Sequence, residues 1–74
     1  MDTNSKTVDA RGLSCPQPAM LAREALQHMS SGVIKVLVDS GTSRDNVTRL
    51  AQRAGWRVTV SDEADGSFTL LLER

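Results

Sequence analysis

Pro16 and Pro18 are the chain's only two prolines, and they fix where its first helix can begin. Proline suits the first helical turn, where its missing N–H costs nothing and its φ is already helical. An extended segment, Thr7 to Ala10, precedes them, and a run with apolar residues at helical spacing follows. The stretch therefore reads as strand, tight loop and helix, with the helix starting at Pro16 and Cys15 at its N-cap. Gly12 supplies the loop's turning freedom. Pro18 also lacks an N–H, so Gln17 N–H is the main orphan donor left to face the sulfur. The result is a stiff loop that ends in a nucleophile.

The rest of the chain falls into alternating periodicities. Pro18, Leu21, Ala22, Ala25, Leu26 and Met29 form one helical stripe, with Met20 on the polar side, and Ser30-Ser31-Gly32 stops that helix. Val33 to Val38 is β-branched and nearly continuous in apolar character, as a central strand is. Thr42 and Asp45 resemble a capping box that opens a second helix at Thr42 or Ser43. Val47, Leu50, Ala51 and Ala54 give that helix its buried face, and Gly55 its left-handed end. Trp56, Val58 and Val60 alternate with polar residues, Asp62 to Gly66 turns, and Phe68, Leu70 and Leu72 alternate back as a hairpin.

The order is βαβαββ. It predicts an α+β two-layer sandwich, a mixed four-stranded sheet with two helices on one face. The other face would leave Leu37 and Leu71 in the open. Residues 1–6 read as a disordered N-terminal segment, and residues 7–74 as one domain.

Composition excludes several function classes. The formal net charge is zero, so no global field favours nucleic acid or an acidic membrane. Only Trp56 and Phe68 are aromatic, too few for a base-stacking surface. No apolar run approaches the ~20 residues of a membrane span. The single cysteine cannot pair within the chain, and no secretion signal opens it, so a reducing cytoplasm is expected. A chain of this size buries only about 60% of its unfolded surface, so its core must be well packed or completed by a partner.

What one cysteine can do here is narrow. The thiolate is the reactive form, and a helix N-terminus favours it. That effect is worth roughly 0.3–1 kcal/mol against about 1.4 per pKa unit, so the helix alone lowers the thiol by less than one unit. Arg11, Lys35 or Arg44 could add a cation if folded nearby. There is no resolving thiol for redox cycling. His28, the lone histidine, lies about three turns along the helix, too far for a Cys–His pair. One Cys and one His cannot make a structural zinc site, and no cofactor is called for. What remains is a thiol that takes a group from one protein and hands it to another.

The stretch Asp9-Ala10-Arg11-Gly12-Leu13-Ser14-Cys15-Pro16-Gln17-Pro18 resembles the D-A-x-G-x-x-C-P-x-P signature, with its CPxP motif, of the TusA/SirA/YedF sulfur-carrier family. The βαβαββ order, Asp39 after the second strand and the pair Gly55-Trp56 match as well. Asn46-Val47-Thr48-Arg49-Leu50-Ala51 is closer to the YedF branch than to TusA proper. The resemblance implies a fold like the C-terminal domain of translation initiation factor three. It implies a persulfide on Cys15, received from a cysteine desulfurase or rhodanese-like donor and passed to a downstream acceptor protein. Relatives serve tRNA thiolation, sulfur oxidation, cofactor supply or selenium metabolism. The chain is thus expected to be a carrier rather than a turnover enzyme, approached by its partners directly and not through a deep pocket.

Around Cys15, Asp9 is expected to brace the loop, Gly12 to allow it, and Pro16, Gln17 and Pro18 to hold the sulfur. Arg11, Met20, Lys35 and Arg44 are candidate partner contacts. Two other readings compete. A selenium carrier or selenium-metabolism regulator would use the same thiol. A nucleic-acid-binding module would rely on Arg44, Arg49 and Arg53, and the charge balance argues against it.

Overall fold

The computed structural model describes residues 5–14 and 16–74. The elements run β1 (Ser5–Asp9), α1 (Gln17–His28), β2 (Val33–Val38), α2 (Gly41–Arg53), β3 (Arg57–Asp62) and β4 (Phe68–Glu73), the βαβαββ order expected. The sheet order is β1-β2-β4-β3. β1 pairs in parallel with β2, and β4 inserts antiparallel between β2 and β3; both helices cover one face, where their buried residues share a core with Val8, Ile34, Val36, Leu70 and Leu72. This is the α+β sandwich that the periodicities imply.

The register sorts every strand residue onto a face. On the covered face Val8, Val36, Leu70 and Val60 lie in one row, and Ile34, Leu72 and Val58 in the next. Ile34, Val36, Val38, Leu70 and Leu72 are completely buried. They meet small residues on the helices, Ala22 and Ala25 of α1 and Val47 and Ala51 of α2, all at or near zero exposure. Small side chains let two short helices lie close to the sheet and to each other, which is how a chain of this size closes a core. The partly buried Leu21, Leu26 and Met29 pack against that core.

Two strand or helix starts and one burial differ from what the sequence predicts. β1 starts at Ser5, because Ser5 and Lys6 pair with Val33 and Ile34; the expected disordered segment 1–6 is therefore too long by two residues, and its first four lie outside the described residues. α2 is capped by Ser40 and not by Thr42: Ser40 is extended (φ −141°, ψ 152°), and its Oγ accepts from Ser43 N–H at 3.1 Å. Asp45, the expected capping-box partner, accepts instead from Arg44 Nε at 3.0 Å. Val60 is 40% exposed, although the alternation grouped it with buried Trp56. β3 is the outermost strand, so the core ends before it reaches Val60.

Trp56 is buried by the helix ending rather than by the strand. Trp56 N–H donates to Ala51 O and Gly55 N–H to Gln52 O, each at 3.0 Å, the paired bonds of a Schellman ending with Gly55 at φ +89°. On the uncovered face Leu37 and Leu71 are half-buried and not open. Arg11, Lys35 and Thr69 border Leu37 there, and long polar stems shield apolar neighbours. Among the described residues no helix is long and apolar enough to cross a membrane.

Candidate functional site

Parallel pairing brings the carboxyl ends of β1 and β2 side by side, and the motif loop springs from the first of them. Ala10 N–H continues the ladder onto Leu37 O at 2.8 Å. One turn further, Gly12 adopts φ +79°, a conformation that a Cβ disfavours. Its N–H donates to Asp39 Oδ2 at 2.7 Å. Asp39 immediately follows β2, so the end of one strand pins the loop that leaves its neighbour. Leu13 N–H returns to Ala10 O at 3.4 Å, and Gln17 N–H to Ser14 O at 2.8 Å. The loop is thus tied at its start, its turn and its exit.

The helix start corrects the expectation by one residue. Pro16 is the half-in cap residue (φ −100°, ψ 18°) and carries no side-chain cap bond; α1 begins at Gln17, with Pro18 in its first turn. Gln17 N–H is occupied by the Ser14 carbonyl and is not left for a sulfur. Met20 N–H donates to Pro16 O at 3.1 Å, closing the first turn. Cys15, the expected sulfur-bearing residue and N-cap, lies outside the described residues.

Charge at this pole converges on Arg11. Its Nε donates to Asp9 Oδ1 and its Nη2 to Asp9 Oδ2, both at 2.9 Å, a two-pronged pair in which guanidinium geometry matches carboxylate. Hydrogen bonding to Arg11 holds the Asp9 carboxyl down at about 2. The Asp9 pair in turn raises Arg11 above its ordinary value, and the charges of Asp65 and Asp39 add to it. Asp65 belongs to the β3–β4 turn, where it accepts from Ser67 N–H and Oγ at 3.0 and 2.6 Å; those bonds, with Arg11, lower its carboxyl. Asp9 therefore braces Arg11 and its backbone N–H, and Arg11 is ion-paired within its own loop rather than standing as a free cation.

The other candidates divide. Lys35 and Arg11 border one depression of about 480 Å³ on the uncovered sheet face. Arg44 does not join them: it sits in the first turn of α2, its guanidinium 4.7 Å from the centre of the Phe68 ring and its Nε on Asp45. Met20 is 62% exposed, and with Leu13, Gln17 and Leu21 it lines a shallow, mostly apolar depression of about 260 Å³ beside the motif.

Two contributors escaped the sequence reading as site residues, Asp39 and Leu13. An aspartate directly after a strand that pairs in parallel with the motif strand was the available signal for Asp39. Leu13 had none, because loop residues have no periodicity to betray an apolar surface.

Comparison with known proteins follows the same outline. The sequence profile of the family described as sulfurtransferase TusA matches residues 6–74. Two proteins of Neisseria meningitidis, serogroups A and B, each named for a proposed sulfur-carrier role, are 35% identical over 71 residues, covering 95% of this chain and 96% of theirs. A Methanocaldococcus jannaschii protein named in the same way is 26% identical over 70 residues, 93% of either chain. The crystal structure of a SirA-like protein from Desulfitobacterium hafniense superposes with a TM-score of 0.87 at 31% identity, over 92% of this chain and 95% of that one.

Proposed function

The chain belongs to the TusA sulfurtransferase family, and from that premise we propose that it is a sulfur carrier whose Cys15 accepts a sulfane sulfur from one protein and delivers it to another. The observation that carries this reading is the motif loop, held at three points by backbone bonds and by Asp39 and flanked by the exposed residues Leu13, Ser14, Pro16 and Gln17. A carrier needs this combination. Its loop must not collapse over the sulfur, and its surroundings must admit another protein.

In the loading step the Cys15 thiol gives up its proton to solvent, and the thiolate attacks the terminal sulfur of a partner's cysteine persulfide. A sulfur–sulfur bond forms on Cys15 as the partner's breaks. The partner leaves as a thiolate with the bonding pair, so there is no net oxidation. Delivery repeats the exchange with this chain as the donor. A thiol only moderately more acidic than usual suits both directions, because the best attacking thiol has a pKa near ambient pH. Arg11, paired with Asp9, supports that moderation, and the depression lined by Leu13 and Met20 gives a partner its apolar foothold. A cysteine desulfurase or a rhodanese-like protein is the donor class that this chemistry fits, and the cytoplasm the compartment that keeps the thiol reduced.

Intact mass after incubation with a cysteine desulfurase and cysteine tests the reading. Wild type gains ~32 Da, one sulfur atom, which dithiothreitol removes, while Cys15→Ser gains nothing. No gain on wild type, or an equal gain on Cys15→Ser, overturns it.

A further inference from the structure

Three large apolar side chains are exposed among the described residues: Leu13, Met20 and Val60. The first two flank the motif. Val60 does not; it sits at the middle of β3, the outer strand of the sheet. The backbone there is also unpaired on one side. The hairpin closes with Glu63 N–H on Ser67 O at 2.9 Å. Since hydrogen-bonded pairs alternate along an antiparallel ladder, 61/69, 59/71 and 57/73 are the bonded ones. The N–H and C=O groups of Val58, Val60 and Asp62 therefore point outward from the sheet.

The two free edges of the sheet are not alike. β1 carries Lys6 on its helix-covered side, opposite Ile34, and an inward lysine on an edge opposes strand addition. β3 has no lysine, proline or glycine, and Val58, Thr59 and Val60 are strong strand formers. Its sequence is also self-complementary. A two-fold axis perpendicular to the sheet at Val60 sets Val60 opposite Val60 of the second copy, Thr59 opposite Ser61, and Arg57 opposite Glu63. The valines shield each other, and both ends of the contact become opposite-charge pairs on the uncovered face. Centring the axis one residue earlier, at Thr59, sets Arg57 opposite Ser61 and loses both charge pairs.

We propose that β3 is a self-association edge, pairing antiparallel with β3 of a second copy about Val60 to make one continuous eight-stranded sheet. One strand edge buries less than the roughly 1,000 Å² of a stable interface, so the dimer is transient and forms at high protein concentration.

Disulfide trapping tests this in a Cys15→Ser background, where an introduced cysteine is the only thiol. Residues opposite one another in such a pair have Cα atoms about 5.5 Å apart, within disulfide reach. Under mild oxidation Val60→Cys is expected to form a disulfide dimer at least about ten times faster than Thr7→Cys, an exposed position on the other edge; equal rates overturn the proposal. Adding Arg57→Glu or Glu63→Arg to Val60→Cys slows trapping by setting like charges opposite each other. Mixing those two variants restores both pairs, and a mixed-mass dimer is expected to dominate. A mixture no faster than its components overturns the register. The Val60/Thr7 comparison alters no charge, so it decides the edge even if a charge variant fails to fold.

Discussion

Asp9 stands in the open, yet its carboxyl is held at about 2 by the Arg11 guanidinium and backbone N–H. A carboxyl depressed in the folded state and ordinary in the unfolded one stabilises the fold above the ordinary carboxylate range. That contribution is lost as pH falls through about 2. Carbon-detected NMR titration of the Asp9 carboxyl is expected to show this low midpoint in wild type. In Arg11→Gln it rises toward the ordinary value, because the guanidinium bonds, the largest cause, are lost while the backbone N–H bond remains. An unchanged midpoint in the variant means that another donor holds the carboxyl. The motif's spacing named Asp9 as a brace, but only the folded loop reveals that it braces through Arg11, and that Asp39 carries the cross-strand tie to Gly12.

At the scale of elements, local rules settled most starts and stops. Apolar spacing located both helices, and Gly55 marked the end of α2 as its Schellman bonds require. The start of α2 differs from the expected one because three hydroxyl residues, Ser40, Thr42 and Ser43, lie within four positions. The choice among them depends on which residue stays extended where β2 ends. Ser40 does, and its hydroxyl both accepts from Ser43 N–H and donates to Ser43 Oγ at 2.9 Å. Ser40→Ala is expected to cost about 1 kcal/mol in urea unfolding, and Thr42→Ala much less. A larger loss at Thr42 would restore the capping box.

For the molecule as a whole, three loops lie at the pole of the proposed site: the β1–α1 motif, the residues after β2, and the β3–β4 turn. The proposed sulfur exchange allows chemistry to be tested apart from docking. Met20→Glu changes an exposed residue one helical turn from the cap and places a charge in the apolar depression. It is expected to leave loading of Cys15 by a small persulfide unchanged. Loading from a desulfurase slows by about tenfold, the cost of ~1.4 kcal/mol of lost contact. Equal slowing with both donors would mean that Met20 acts on the sulfur itself and not on the partner.

By itself the chain's sequence determined its element order and its covered and uncovered sheet faces, because periodicity, prolines and glycines act within a few residues of themselves. Tertiary structure alone decided that Asp39 pins Gly12, that Arg44 lies over Phe68 instead of beside the motif, and that Val60 falls beyond the reach of the core. Each of these depends on which strands become neighbours. That is set by burying the whole apolar face at once, a quantity no short stretch of residues contains.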